Sequence, residues 1–244
     1  MKVFKGLAIF FVCFSTAIVS LKVSAQSDSK KSPPSDQLLE KSKFCVIGKK
    51  INEFPFYVYK DGNAPENHFT ASGLMGDFSD LTIDLYNKEN PYSGTSCIKI
   101  IYKTGISRGS GWTGLYFQEP ANNWGDVPAG YDLRKATKLI FWAKGQVGGE
   151  TINVFQVGGI SGKYGDTGAK SLGPVTLTQE WKQYIIDLHY IDGSIIFTKE
   201  KWECWPFMEP LSRIIGGFCW AASIAGNSGH GITFYLDEIR FEVD

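Results

Sequence analysis

The segment from Trp112 to Asp126 carries both kinds of side chain that could hold a sugar. Indole and phenol rings present flat apolar surfaces to the C–H face of a pyranose, while amide and carboxylate groups hydrogen-bond its hydroxyls. If the segment begins as a regular strand, the period of two places Trp112, Tyr116 and Gln118 on one face. The candidate contact residues are Tyr116, Gln118, Asn123, Trp124 and Asp126.

Two aromatic side chains stand in turns rather than strands. Trp124 lies in the turn Asn-Asn-Trp-Gly-Asp, where a large ring is expected to be exposed. Tyr164 lies in a similar context at residues 162–166 and is the sixth candidate contact residue. By contrast, Trp112 and Trp142 are expected in the core, because β-rich domains commonly bury tryptophan.

The carboxylates of the sequence suggest a metal site. In the last predicted strand, alternation places Tyr235, Ile239, Phe241 and Val243 on one face together with Asp237. A carboxylate on an apolar face must be hydrogen-bonded, paired or bound to a cation. Calcium is the natural hard cation, with Asp61, Asp77, Asp80, Asp84 and backbone carbonyls of the turns as the candidate co-ligands. Backbone hydrogen bonding at the sheet edge is the alternative.

Catalytic motifs are weak in this chain. The spacing Gly-x-Ser-x-Gly occurs at residues 105–109, but the sequence after it leads into a predicted strand instead of the helix that a nucleophile elbow requires. His68, His189 and His230 form no metal-binding motif, and no phosphate loop is present. A non-catalytic protein is therefore expected; a glycan-cleaving enzyme, which would need two convergent carboxylates, is the lesser alternative.

The elements that must position these groups are short runs rich in β-branched and aromatic residues, bounded by Gly, Asn, Asp and Pro. Their recurrence without amphipathic helices predicts an all-β fold, a two-sheet antiparallel β-sandwich. One helix is expected near residues 198–205. The predicted strands cover residues 54–59, 81–85, 96–103, 114–118, 138–143, 151–157, 175–178, 182–188, 214–221 and 231–243.

Composition and the N-terminus bound the remaining possibilities. Lys and Arg total 25 and Asp and Glu total 25, so the chain lacks the basic footprint of a nucleic-acid binder. Residues 1–25 are predicted to be a signal peptide, with a basic start, an apolar run and small residues at the cleavage position; an uncleaved anchor is the alternative. Residues 26–43 read as a flexible polar spacer, and 44–244 as the folded domain. The predicted product is exported, either secreted or periplasmic at the cell envelope, with no transmembrane segment after cleavage.

Four cysteines follow the signal segment, at positions 45, 97, 204 and 219. The even number permits two disulfides in an oxidising compartment, in any of three connectivities. Buried free thiols are the equally weighted alternative. No pair has the Cys-x-x-Cys spacing of a zinc or dithiol site.

Eight stretches in a fixed order carry a resemblance to a known family. They are residues 59–68, 72–77, 111–118, 120–126, 139–145, 180–184, 215–220 and 234–240. Together they resemble the galactose-binding-domain-like β-jelly rolls found in exported bacterial proteins and as carbohydrate-binding modules beside glycoside hydrolases. The resemblance runs from about residue 56 to the C-terminus.

The resemblance implies a jelly roll with a sugar site on the concave sheet or in the edge loops, and often a structural calcium. Asp237 would match the acidic residue of the family's terminal strand, and Asp61 an acidic position near its first strand. The expected function is binding of a polysaccharide or other glycan, with a glycoside hydrolase or an envelope protein as further partner. The alternative from another class is a structural or protein-interaction domain of the cell envelope that has no sugar site.

Overall fold

The computed structural model describes residues 45–191 and 208–244, which lie within one compact unit, Ser35–Asp244. Two short 3-10 helices, Phe78–Asp80 and Ala225–Asn227, accompany the strands. The strands are β1 (Lys49–Lys50), β2 (Phe56–Tyr59), β3 (Thr70–Gly76), β4 (Leu81–Asn87), β5 (Cys97–Tyr102), β6 (Trp112–Gln118), β7 (Tyr131–Asp132), β8 (Lys138–Gly145), β9 (Thr151–Ile152), β10 (Val154–Gly158), β11 (Ala169–Leu172), β12 (Val175–Thr176), β13 (Lys182–Asp187), β14 (Gly216–Ser223) and β15 (Ile232–Glu242).

Two larger antiparallel sheets form the sandwich, as the strand pattern predicts. The five-stranded sheet has the order β11-β10-β14-β6-β3. The six-stranded sheet has the order β13-β8-β15-β5-β4, with β2 added along β15. Two-stranded pairs, β1 with β7 and β9 with β12, complete the described sheets. The predicted signal peptide, the spacer and the helix near 198–205 lie outside the described residues.

The core lies between the two sheets. Phe141 of β8 meets Phe155 of β10 and Phe218 of β14, with ring centroids 4.7 and 5.1 Å apart. Trp220 of β14 stands edge-on to Phe234 of β15 at 4.9 Å. All five side chains are fully buried. Aromatic residues from both sheets therefore interlock, and their burial supplies much of the hydrophobic stabilisation.

The alternation expected for the last strand is interrupted at its middle, so it is wrong for Tyr235 and Asp237. Phe234 and Leu236 point into the core, so Tyr235 and Asp237 face the other way. A β-bulge then shifts the register between Asp237 and Arg240, and Glu238 adopts a φ of +50°. The extra residue returns Ile239 and Phe241 to the core. Asp237 therefore does not belong to the core face, although it is fully buried.

The cysteines divide into two states. Cys45 forms a disulfide, whereas Cys97 and Cys219 are free thiols buried in the sheets. Cys204 lies outside the described residues. Among the residues that the structure describes, no helix is both long enough and apolar enough to cross a membrane.

Candidate functional site

Four residues in cross-strand register form the centre of the outer face of the five-stranded sheet. In cross-strand register, Met75 lies beside Gly114, Gly114 beside Ala221, and Ala221 beside Val154. A Cβ on Gly114 would come within 2.6 Å of the Trp220 carbonyl oxygen and 2.9 Å of the Met75 methyl group, so only glycine fits there. Gly114 is buried, with the Met75 methyl group against it, and Ala221 and Val154 are half-buried beside it. We call these four residues, one from each of four strands, the small-residue floor.

Aromatic rings stand on either side of the small-residue floor. Trp112 and Tyr116 lie on the same face of β6, two residues to either side of Gly114, and the two positions are therefore about 13 Å apart. Trp112 is half-buried and lies outside the core, which corrects the expectation that it packs between the sheets. Trp124 stands edge-on to Tyr116 with ring centroids 5.9 Å apart and is 38% exposed, as its turn predicts.

Tyr116 forms the fixed end of this face. It is 6% exposed, and its hydroxyl donates to the Gly158 carbonyl and accepts from Gln156 at 2.8 Å. Burial raises the pKa of Tyr116 well above its usual value, so the hydroxyl stays neutral at physiological pH. The ring is therefore a rigid support for Trp124 more than a freely exposed surface.

Gln118 and Asn123 shape the turn that carries Trp124. Gln118 is fully buried; its amide N–H donates to the Asn123 carbonyl, and its oxygen accepts from Ser72. The Asn123 side-chain oxygen accepts from the backbone N–H groups of Gly125 and Asp126 at 3.1 Å. Both predicted contact residues thus lie at the site, but their polar groups are engaged within the protein.

Asp126 and Tyr164 are the other two predicted contact residues. Asp126 is exposed, and its carboxylate makes no hydrogen bond to the described residues. Tyr164 is half-buried, and its backbone N–H donates to the Gly125 carbonyl at 2.7 Å. The structure therefore brings the 159–166 loop against the Trp124 turn, a proximity that sequence spacing alone did not reveal.

Buried carboxylates fix the loops around this face. Asp166 is fully buried and accepts from the backbone N–H groups of Ile160, Ile215 and Gly216. Arg213, 1% exposed, donates to the Gly165 carbonyl at 3.0 Å. Neither residue was singled out from the sequence, because a charged residue beside a turn glycine or at the start of a strand gives no signal of burial.

Asp77 plays the same part at the Trp112 end. It is fully buried and accepts from the backbone N–H groups of Arg108, Ser110 and Gly111. Although burial opposes ionisation, these hydrogen bonds hold the pKa of Asp77 below its usual value. The Gly-x-Ser-x-Gly spacing falls in this loop, which runs from β5 to β6 with no helix after it.

The predicted metal ligands lie in two places. Asp61 accepts from Thr95 and Ser96, and these hydrogen bonds outweigh burial and lower its pKa to about 2. Asp237 accepts from Tyr92 and Ser93, so both carboxylates hold the single loop at residues 88–96. Asp80 instead accepts from Ser107 at 2.8 Å. No group of three or more His, Cys, Asp or Glu side chains in the described ranges is arranged to hold a metal ion.

Asp237 differs from the other carboxylates in its electrostatics. Burial raises its pKa to about 7, although backbone N–H groups of Ser93, Glu238 and Tyr92 favour the charged form. No cationic side chain in the described part of the chain forms an ion pair with it. The metal prediction is not tested by these contacts and stays a prediction.

No protein-family model matches the sequence, and no curated protein matches it. Among solved structures, the chain is similar to the family 30 carbohydrate-binding module of a cellulosomal cellulase from Clostridium thermocellum, at 16% identity over 79% of this chain and 99% of that one, with a TM-score of 0.48. It is also similar to the family 11 module of another cellulosomal cellulase of Clostridium thermocellum, at 16% identity over 67% and 81%, with a TM-score of 0.40. A variant of the CBM29-2 module matches at 10% identity over 75% and 87%, also at 0.40.

These solved structures are carbohydrate-binding modules, the group whose motifs the sequence resembles. At such identities the likeness is one of fold. The two-sheet antiparallel architecture predicted from the sequence is confirmed by the sheet order itself.

Proposed function

We propose that this protein binds a polysaccharide on the outer face of its five-stranded sheet, without cleaving it. The observation that carries the proposal is the small-residue floor between Trp112 and Trp124. A sugar chain lying across Ala221 and the Met75 side chain that covers Gly114 would meet an indole ring at either end of the floor. Apolar C–H surface on the rings and floor would be removed from water together, which is the main favourable term for such a ligand.

The polar contacts would come from the rim of the site. Asp126 offers an exposed carboxylate beside Trp124, and Tyr164 offers a half-buried ring on the adjoining loop. Tyr116, Gln118 and Asn123 would act through the turn, holding Trp124 in place before the ligand arrives. Such preorganisation lowers the entropy cost of binding.

The test is calorimetric titration with a panel of neutral polysaccharides, combined with an assay for released reducing ends. Trp124→Ala should weaken binding tenfold or more, about 1.4 kcal/mol, because it removes the most exposed stacking ring. Tyr86→Ala is the matched control, since Tyr86 is 52% exposed on β4, in the other large sheet.

The melting temperature of Trp124→Ala should stay close to that of the wild type. A large loss of stability would show that Trp124 stabilises the fold by packing. Released reducing ends would show that the protein cleaves the glycan and is an enzyme. Failure of every glycan to bind would favour the envelope-interaction alternative.

We also propose that the domain works outside the cytoplasm. The disulfide at Cys45 supports this, because disulfides persist in oxidising compartments and are rare in the cytosol. The signal peptide predicted at residues 1–25 would provide the route. Expression with and without those residues, followed by fractionation, tests the proposal; retention of the full chain in the cytosol would contradict it.

Calcium remains a proposal that depends on Asp237. The residues present do not fit a site made of three carboxylates, because Asp61 and Asp80 hold different loops by backbone hydrogen bonds. Asp237 is the carboxylate that a cation would help most, being fully buried with no cationic partner among the described residues. Asp237→Ala should lower the melting temperature more in calcium than in chelator; an equal loss in both would remove the metal role.

A further inference from the structure

A second row of aromatic rings crosses the opposite side of the molecule. On the outer face of the six-stranded sheet, Tyr235 of β15 lies between Lys144 of β8 and Lys99 of β5 in cross-strand register. Trp181 precedes β13 and reaches the other side of Lys144. We call Trp181, Lys144, Tyr235 and Lys99 the lysine stripe; three strand spacings make it about 14 Å wide.

Lys144 is held between two rings. Its ammonium lies 5.3 Å from the Trp181 ring centroid and 4.8 Å from that of Tyr235, both within cation–π range. Lys99 pairs with Glu89 at 2.7 Å, whereas no carboxylate of the described residues lies within 4.0 Å of the Lys144 ammonium. Lys144 is therefore an ordered positive charge whose N–H donors are left for a ligand.

An exposed tyrosine, Tyr92, lies next to Trp181, the ring that contacts Lys144. Tyr92 is 42% exposed and stacks on Trp142 with ring centroids 3.7 Å apart. The loop that carries Tyr92 is fixed twice: Asp237 accepts from the Tyr92 N–H at 2.9 Å, and the Trp181 indole donates to the Asn90 carbonyl at 3.0 Å. Tyr92 and Trp181 are thus preordered at 6.3 Å from each other.

Further donors complete the surroundings of Lys144. Gln146 is exposed; its amide oxygen accepts from the Tyr235 hydroxyl, and its amide N–H groups donate to none of the described residues. Gln183 is exposed opposite Trp142. The face therefore combines stacking surface with hydrogen-bond donors around one positive charge, and it favours a ligand that is flat, apolar on one side and anionic.

We propose that the lysine stripe is a second glycan site that takes an acidic polysaccharide, with a uronate ring against Tyr92 and Trp181 and its carboxylate accepting from Lys144 and Gln146. A neutral sugar would stack equally well, but it would bring no negative charge to pair with the Lys144 ammonium. A carboxylate adds charge-assisted hydrogen bonds, which are stronger than neutral ones. Nucleic acid is disfavoured because the chain carries equal numbers of acidic and basic residues.

The experiment is titration of the protein with polygalacturonate at low and at high salt. Micromolar to millimolar binding that weakens with salt is expected, because an exposed ammonium is screened. Lys144→Met keeps an apolar stem between the two rings and removes the charge, so it should weaken binding at least tenfold. Lys182→Met is the matched control: it makes the same charge change on the same sheet, at an exposed lysine outside the stripe, and should leave affinity unchanged.

The proposal would be overturned by no binding of polygalacturonate by the wild type, by equal losses in the two lysine variants, by equal affinity for dextran sulfate, or by equal affinity for a single-stranded oligonucleotide. If Lys144→Met unfolds, Lys144→Gln replaces it under the same criteria. Trp124→Ala should leave polygalacturonate binding intact while it impairs neutral-glycan binding. Loss of both binding activities in Trp124→Ala would mean one shared site and would also contradict the proposal. Loss of only one activity would test the corresponding site without affecting the other.

Discussion

The outer faces of the two sheets use aromatic residues in opposite ways. On the five-stranded sheet the centre is a floor of Gly114 and Ala221, and the rings stand at its ends. On the six-stranded sheet Tyr235 fills the centre between two lysine stems, and Tyr92 comes from a loop that lies over Trp142. The number of aromatic residues therefore says little about a binding face. The size of the side chains between them, and the charge beside them, decides what could lie there.

The two faces nevertheless share one means of ordering their loops. Asp77 and Asp166 on the first side, and Asp61 and Asp237 on the second, each accept backbone N–H groups of a neighbouring loop. These charge-assisted hydrogen bonds offset the unfavourable free energy of burying a carboxylate. Removing one such carboxylate should therefore disturb one face and spare the other.

The largest expected effect is that of Asp166→Ala. Three buried N–H groups would lose their acceptor, and leaving buried donors unsatisfied costs about 1–3 kcal/mol each. We expect the free energy of unfolding to fall by about 3 kcal/mol or more, measured by chemical denaturation. Asp187→Ala, at an exposed carboxylate, is the control.

The same variant also separates the two faces. If Asp166→Ala stays folded, its neutral-glycan affinity should fall because the 159–166 loop supports the Trp124 turn, while binding of polygalacturonate should persist. Equal loss of both ligands would show that the faces are not independent.

Next in size is a dependence of stability on pH that arises at Asp237. Burial raises its pKa to about 7 in the folded protein, above the value of 3.8 expected when unfolded. Its contribution to stability is therefore fully present below about pH 4 and is lost as the pH rises through 7. The slope is at most about 1.4 kcal/mol per pH unit.

Asp237→Asn removes this titration. In chelator, the stability of the wild type relative to Asp237→Asn should decline between pH 4 and 7 and level off above 7, as measured by thermal unfolding across that range. Parallel curves for the two proteins would show that Asp237 does not titrate in this interval.

The smallest expected effect is that of Tyr92→Ala. Tyr92 is partly exposed, so its stack on Trp142 should contribute about 0.5–1.5 kcal/mol to stability. Polygalacturonate affinity should fall severalfold while neutral-glycan affinity stays the same. Tyr86→Ala serves again as the exposed-tyrosine control, and a larger loss of neutral-glycan binding than of uronate binding would reverse the assignment of the faces.

Much of the fold could be predicted from the sequence, because β-branched and aromatic runs between turn residues mark the strands directly. The strand Thr70–Gly76 was missed: its small residues and two glycines resemble a loop, and only pairing with β6 makes it a strand. The predicted strand 151–157 divides at Asn153, whose side chain accepts from Ser223.

The candidate site was predictable only in part. Period two placed Trp112, Tyr116 and Gln118 on one face correctly, but it cannot tell an outer face from a core face. Trp112 and Trp142 were expected in the core because β-rich domains commonly bury tryptophan, and both lie on outer faces. Asp237 was placed on the wrong side because a single bulge residue, Glu238, reverses the alternation.

The position of β15 governs when this protein can fold. Residues 232–242 lie inside the six-stranded sheet and pair with β2, β5 and β8, elements that end far earlier in the chain. The sheet cannot close until Glu242 has left the ribosome, so its assembly follows synthesis of the whole domain. Until β15 is made, β5 and β8 lack the strand that joins them, so the six-stranded sheet depends on contacts between residues far apart in the sequence, a topology that folds slowly.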